Sequence, residues 1–312
     1  MIALLLIPLV LPFALPTLAR RAVDRVRPEA ALWVLTSASV ALAVGVVACL
    51  GVLLLPVALS LPVVAGLAHL IQPLEAGPTT LVMTVSVFAG GALAVTCITA
   101  VRRTLSEVQR LRAAHVDVAG LPGAGGLCVV DDARPDAYAL PGGLRSPSRV
   151  VVTTGMLRAL TPDERDVLLA HERAHLAGRH HLFLAAAQLA GWCHPALAAV
   201  APQVSFAAER AADEAAALAA GDRTLAATAV GHAALATTRT RTDLPSIAPS
   251  AVTGPVPARV KALLAHTPTR RRLAPVLLVV VVLIGLAGAS ALAGAASVHR
   301  GVEIAQGELP RP

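Results

Sequence analysis

The sequence predicts a mainly α membrane protein: four transmembrane helices, with a cytoplasmic α+β domain between spans three and four. Three observations predict it. Of the 312 residues, 56% are hydrophobic and 14% charged, with a mean hydropathy of +0.71; a soluble domain carries about a quarter charged residues. Four apolar runs, at 1–19, 30–55, 79–101 and 274–296, can each cross a hydrocarbon layer. Between the last two, residues 102–273 alternate short β-prone runs, glycine-rich turns and helical stretches.

The first run, Met1–Ala19, is uncharged, carries prolines at 8, 12 and 16, and is followed by Arg20 and Arg21. A signal peptide places its positive charges before the apolar stretch, so this one reads as a span. Ala30–Leu55, Thr79–Val101 and Ala274–Ala296 are the other three spans, and Pro56–Pro78, without Lys or Arg, reads as an extracytoplasmic loop. Arg20, Arg21, Arg25 and Arg27 lie between spans one and two. Arg102, Arg103, Arg110 and Arg112 follow span three, and Arg270–Arg272 precede span four. All three basic clusters fall on one side, which the positive-inside rule makes the cytoplasm, with both termini outside. The expected division is a three-span membrane region at 1–101, a cytoplasmic domain at 102–273, the fourth span at 274–296 and a short extracytoplasmic tail at 297–312.

Within the domain, residues 104–118 read as a helix leaving the membrane, and Gly120–Gly126 as a turn without the Gly-Lys-Ser/Thr of a phosphate loop. Leu127–Val130, Ala137–Leu140 and Arg149–Thr153 form a small sheet. Thr161-Pro162-Asp163-Glu164 supplies an N-cap, a first-turn proline and a capping-box glutamate for a helix that ends near Gly178. Helices follow at Leu182–Trp192, through Glu209 and Asp213, at 224–237 and at Ala258–Ala265, with a polar loop at Thr238–Pro257. The net charge of +7 is spread through the domain and the span-flanking arginines, which argues for topology signals and against direct nucleic-acid binding. Cys49, Cys97, Cys128 and Cys193 show no C-x-x-C spacing and read as buried small apolar residues.

Chemistry concentrates at His171-Glu172-Arg173-Ala174-His175. Two histidines four apart project from one helix face and can converge on one metal ion, with Glu172 beside them as general base for a bound water. A catalytic zinc takes a third protein ligand. Glu209 fits, with Asp213 one turn later. Two carboxylates at i and i+4 repel, a tension relieved if Glu209 binds metal and Asp213 accepts a hydrogen bond from a ligand imidazole. The expected cofactor is one Zn²⁺ per chain held by His171, His175 and Glu209. His232 and Arg259 are weaker candidates for stabilising an oxyanion, and Val150, Val151, Val152 and Thr153 for pairing with a substrate backbone.

From Tyr138-Ala-Leu-Pro-Gly-Gly143 through Val150-Val-Val-Thr-Thr-Gly155, the His171–His175 motif and Trp192-Cys-His-Pro195 to Glu209-Arg-Ala-Ala-Asp213, the chain resembles the BlaR/MecR beta-lactam sensor-transducer peptidases, a group of gluzincins. The resemblance implies a zincin-like domain, zinc on His171, His175 and Glu209, Glu172 as catalytic base and Asp213 in support. It also implies cleavage of the domain itself or of a cytoplasmic protein such as a winged-helix repressor, in response to an outside signal. Two features depart from the pattern. Only about 16 residues follow span four, with no S-x-x-K, and His180 stands where the family often has an acid. HtpX-like quality-control proteases and prenyl-protein proteases share the same ligand logic, and a non-catalytic relay with a structural metal is the reading from a different class.

Overall fold

Proline decides the shape of the first apolar run. In the computed structural model, which describes residues 2–23, 25–60, 79–121, 123–143, 146–237, 255–265, 278, 280–290, 292–293 and 296, this run is broken in three. Helix α1 (Ile2–Val10) passes through a 3-10 turn (Leu11–Ala14) into α2 (Leu15–Val23). Pro12 lacks the N–H that would continue the α ladder, and the chain tightens there instead of stopping. Helix α3 (Pro28–Ser60) carries the second span five residues beyond its expected end.

Helix α4 (Thr79–Ala119) merges the third span with the helix expected at 104–118. No Gly or Pro interrupts residues 101–119, so the ladder continues unbroken for 41 residues, about 60 Å or twice the thickness of a hydrocarbon core. Among the described residues, three helical stretches, Leu6–Val23, Pro28–Leu55 and Thr80–Ala119, are long and apolar enough to cross a membrane. The described part of the last run, Val280–Ser290, is a shorter apolar helix. The segments 61–78, 238–254 and 297–312 and the Arg270–Arg272 cluster lie outside the described residues. Among the cysteines, Cys49 and Cys128 are buried as expected, whereas Cys97 is exposed on α4.

Strand β1 (Gly123–Ala124) opens a four-stranded sheet completed by β2 (Leu127–Val130), β3 (Ala137–Leu140) and β4 (Arg149–Thr153), in the order β1-β2-β4-β3. Strand β4 runs parallel to β2, with Leu127 opposite Val150, and antiparallel to β3, with Ala137 opposite Val152. That order corrects one expectation. A strand hydrogen-bonded on both sides has no free backbone edge to offer a substrate, and Val150, Val151, Val152 and Thr153 are all buried. The Thr153 hydroxyl is committed as well: it donates to the Arg134 carbonyl and accepts from the Asp136 and Met156 amides.

Helix α5 (Thr154–Ala159) leads to α6 (Pro162–Ala177), which carries the histidine motif. The capping box is formed: the Glu164 amide donates to the Thr161 hydroxyl, and the Thr161 amide donates to Glu164 Oε2 at 2.9 Å. His232 adds its Nδ1 at 2.6 Å from Glu164 Oε1. Burial opposes the Glu164 charge, but the Thr161 amide, the His232 ring and the Thr161 hydroxyl outweigh it and hold the carboxyl below its ordinary value. A depressed folded-state pKa stabilises above the ordinary glutamate range and loses that contribution as pH falls through the folded value. Thermal melts from pH 7 to pH 3 should therefore fall more steeply for wild type than for Glu164→Gln. Thr161→Ala should cost about 1 kcal/mol at neutral pH.

Four further helices follow: α7 (His180–Cys193), α8 (Pro195–Ala198), α9 (Ala201–Ala220) and α10 (Arg223–Thr237). Helix α11 (Val256–Leu264) closes the domain. Arg223 chelates Glu214 and donates to the Ala262 and Leu263 carbonyls, pinning the end of α11 to the α9–α10 turn. The membrane region and the domain share one core, in which Leu15, Ala19, Leu35 and Leu42 pack with Leu184, Ala187, Val204 and Ala208. Alanines on the inner face of α9 (Ala208, Ala211, Ala212 and Ala216) are all buried. Small side chains there let α9 lie close against α6.

Candidate metal centre

The α6–α9 contact brings the predicted ligands together. The Nε2 atoms of His171 and His175 lie 3.1 Å apart. Glu209 reaches both, with Oε1 3.5 Å from His175 Nε2 and Oε2 3.5 Å from His171 Nε2. Tetrahedral zinc with bonds of about 2.0–2.1 Å sets its ligand atoms roughly 3.4 Å from one another, so the spacing suits that ion. Among the described residues these three are the group of His, Cys, Asp or Glu side chains able to share one ion.

Electrostatics point the same way. Burial disfavours a protonated His171, yet Asp213 and Glu209 outweigh it and push its pKa up to about 10. The two carboxylates thus favour positive charge at this position despite the cost of desolvation. Glu172 is wholly buried, and both of its carboxylate oxygens lack a hydrogen-bond partner. Burial, opposed by His171 and reinforced by Glu209, pushes its carboxyl up to about 8. An orphaned buried carboxylate is costly unless a cation or polar ligand completes its surroundings. The residues fit a zinc ion.

Each metal-facing imidazole is oriented from behind. His171 Nδ1 lies 3.0 Å from Asp213 Oδ1. Asp213 is gripped by Arg259, whose Nε and Nη2 donate to its two oxygens at 2.8 and 2.6 Å, and whose Nη1 lies 3.0 Å from Glu209 Oε2. Burial would raise the Asp213 pKa, but Arg259 and His171 hold it down at about 2. The guanidinium thus resolves the i, i+4 repulsion of Glu209 and Asp213, along with the imidazole expected to do so.

Two expected roles are corrected here. Arg259 is fully buried behind the ligands with its guanidinium committed to two carboxylates, so it cannot meet an oxyanion on the substrate side. His232 is half-exposed and engaged with Glu164 at the α6 cap. Oxyanion stabilisation from either residue has no geometric support.

His180 occupies a position whose geometry the sequence did not reveal. Its Nδ1 lies 2.8 Å from His175 Nδ1, leaving His175 Nε2 for the metal. The turn before it is built for this contact. Arg179 adopts the left-handed conformation (φ 48°), and a Cβ on Gly178 would stand 2.5 Å from His180 Nε2. Gly178 itself is right-handed (φ −76°); what it supplies is space. Gly178→Ala and His180→Ala should each weaken zinc affinity about 10–100-fold, measured by competition with a chromogenic chelator. Unchanged affinity in both variants would remove the orienting role.

Pattern comparison agrees with the geometry. Residues 102–274, more than half of the chain, match the model of peptidase family M48. No curated protein and no solved structure matches the chain. The matched stretch contains the capped motif helix, the ligand cluster and the residues behind it, and the chain belongs to peptidase family M48, a family of metallopeptidases.

Proposed function

We propose that this protein is a membrane-bound zinc endopeptidase that cuts a protein substrate at the cytoplasmic face in signal-dependent regulation, in the manner of the BlaR/MecR group. The observation that carries the reading is the convergence of His171, His175 and Glu209 beside the unpartnered Glu172 carboxylate. A structural site closes with four protein ligands. Three ligands and an orphaned base favour catalysis over the relay reading.

A bound zinc ion supplies a Lewis acid that polarises the scissile carbonyl and lowers the pKa of water. Glu172 takes the attacking water's proton on one carboxylate oxygen and later delivers it to the leaving amine. Asp213 and His180 keep the two imidazoles turned with Nε2 toward the ligand pocket. Of the strands, β3 lies at the sheet's end next to α6, so the substrate backbone runs along β3 and not β4. Ala137 and Ala139 are buried, as are all four motif and ligand side chains. Substrate entry therefore requires the site to open, which suits a protease held at rest until signalled. The arginines that follow the first and third apolar runs support a cytoplasmic domain.

The test uses purified full-length protein. Wild type should carry one zinc by metal analysis and lose proteolysis to a chelator, and His171→Ala should lose both metal and activity. Cleavage that persists in metal-free protein would end the reading. Comparing wild-type cells with cells carrying an inactive variant separates regulation from quality control: one partner cut at one site, or many proteins degraded.

A further inference from the structure

We infer that residues 180–209 form a re-entrant helical hairpin whose tip dips into the bilayer and whose apolar surface is covered by lipid acyl chains. The inference rests on reading α1–α2, α3 and α4 as membrane spans. It asks nothing of the metal chemistry.

Charge is the first observation. From Leu182 to Ala208 there are 27 consecutive residues without Asp, Glu, Lys or Arg, in a stretch of the domain that carries charges on both sides. Its surface includes Leu189, 45% exposed, and Ala198. In water that would be an uncharged helical hairpin showing leucine and alanine to solvent; in hydrocarbon it is ordinary.

Depth is the second observation, and it is read in three ways. Going inward, α7 packs on α3 and α4, with Phe183 edge-on to Trp33 near the basic end of α3. Its far half lines a cavity of about 510 Å³ against Val40, Val44 and Ala48 of α3, through Ala186, Leu189 and Cys193. Val40 and Ala48 lie about 18 and 30 Å along α3 from Pro28, the middle and the far part of a span about 30 Å deep. At the tip, the His194 ring stands edge-on to Phe13 and close to the Leu9 backbone. Leu9 is about 20 Å along the first span from its arginine end. Coming back, α9 travels about 14 Å from Ala201 to Arg210, where Arg210 Nη1 donates to the Val23 carbonyl at the end of α2.

Hydrocarbon penalises unpaired polar groups; near the tip Gln203 Oε1 is buried without a hydrogen-bond partner, whereas the His194 ring is engaged. His194 Nδ1 accepts from the Ala196 amide and so caps α8. The broken first span and the His194-Pro195 turn pack against one another. Glu209, one residue before Arg210, emerges level with the basic end of the first span, so the ligand cluster sits at the membrane boundary.

Full-length protein in phosphatidylcholine–phosphatidylglycerol vesicles provides the test. With the native cysteines replaced, single nitroxide labels go at Leu189 and Ala198, both exposed so that the label displaces nothing. Reference labels go at Val44 and Val95 in the spans and at Leu218 and Thr228 in the domain. Collision with oxygen and with an aqueous nickel chelate is then read by electron paramagnetic resonance. Labels at 189 and 198 should match Val44 and Val95, with an oxygen-to-nickel ratio several-fold above that at Leu218 and Thr228. In wild-type protein, a lipid with a photoreactive acyl chain should mark peptides within 182–208, a readout that no variant's folding affects. A Leu218-like ratio at 189 and 198 with Val44 still in lipid overturns the hairpin and leaves the spans. Shielding from both reagents overturns it in favour of a protein cover. An aqueous Val44 takes down the spans and the hairpin together, and the zinc assays stand apart from all three results.

Discussion

Glu172→Gln should leave a folded protein with one zinc bound and reduce peptide-bond cleavage by about 10²–10⁴-fold. The substitution keeps the shape of the side chain and removes the carboxylate that accepts the water's proton, while His171, His175 and Glu209 stay in place. Stability should move the other way. Glu172 lies wholly buried with neither oxygen hydrogen-bonded, and burial, opposed by His171 and reinforced by Glu209, drives the carboxyl up to about 8. A neutral amide escapes that cost, so the metal-free variant should melt at or above the wild-type temperature, a trade of stability against activity common at catalytic groups. With zinc bound the advantage should shrink, because a divalent cation favours the carboxylate that the empty pocket disfavours. Full cleavage in the variant, or loss of its zinc, would falsify the base assignment.

The pair of opposite trends also shows which parts of the site local sequence can carry. Thr161, Pro162 and Glu164 cap α6 through contacts three residues apart, and His171 and His175 share a face because four residues make about one helical turn. Such short-range geometry is readable from spacing, as were the bounds of β2, β3 and β4. The tension between Glu209 and Asp213 was legible for the same reason. Its resolution was only half so, because Arg259 lies 46 residues beyond Asp213 and no local pattern says which distant cation will arrive. His180 was hidden in a different way: its ring meets His175 only because Arg179 takes a left-handed backbone that bulky residues seldom adopt. Strand order is tertiary too, and β4, expected to pair with a substrate backbone, turns out to be interior. The same limit applies to α7. Its apolar composition suggests a soluble core helix as readily as a membrane one, and only packing against the middle of α3 separates them.

Arg259→Met is the structural counterpart, with a loss of about 3–5 kcal/mol, the usual cost of breaking a buried ion pair by removing one partner. Arg259, Asp213 and Glu209 are each at most 2% exposed, so deleting the guanidinium leaves two carboxylates one turn apart with no solvent to screen them. Burial disfavours charge on Arg259, and the two acids outweigh it and raise its pKa above the ordinary value; the three groups are stable as a set. Zinc should recover part of the loss by supplying positive charge at Glu209, so the destabilisation should be larger in chelator than in zinc, read from denaturation curves under both conditions. Arg259→Lys should fall between, since an ammonium keeps the charge and forfeits the two-pronged contact with Asp213. Adding Asp213→Asn to Arg259→Met should restore folding, by relieving the repulsion, while zinc affinity stays low because the His171 ring has lost its anionic partner. If Arg259→Met melts like wild type in chelator, the carboxylates are not held by this guanidinium, and the ordering of His171 must come from somewhere else.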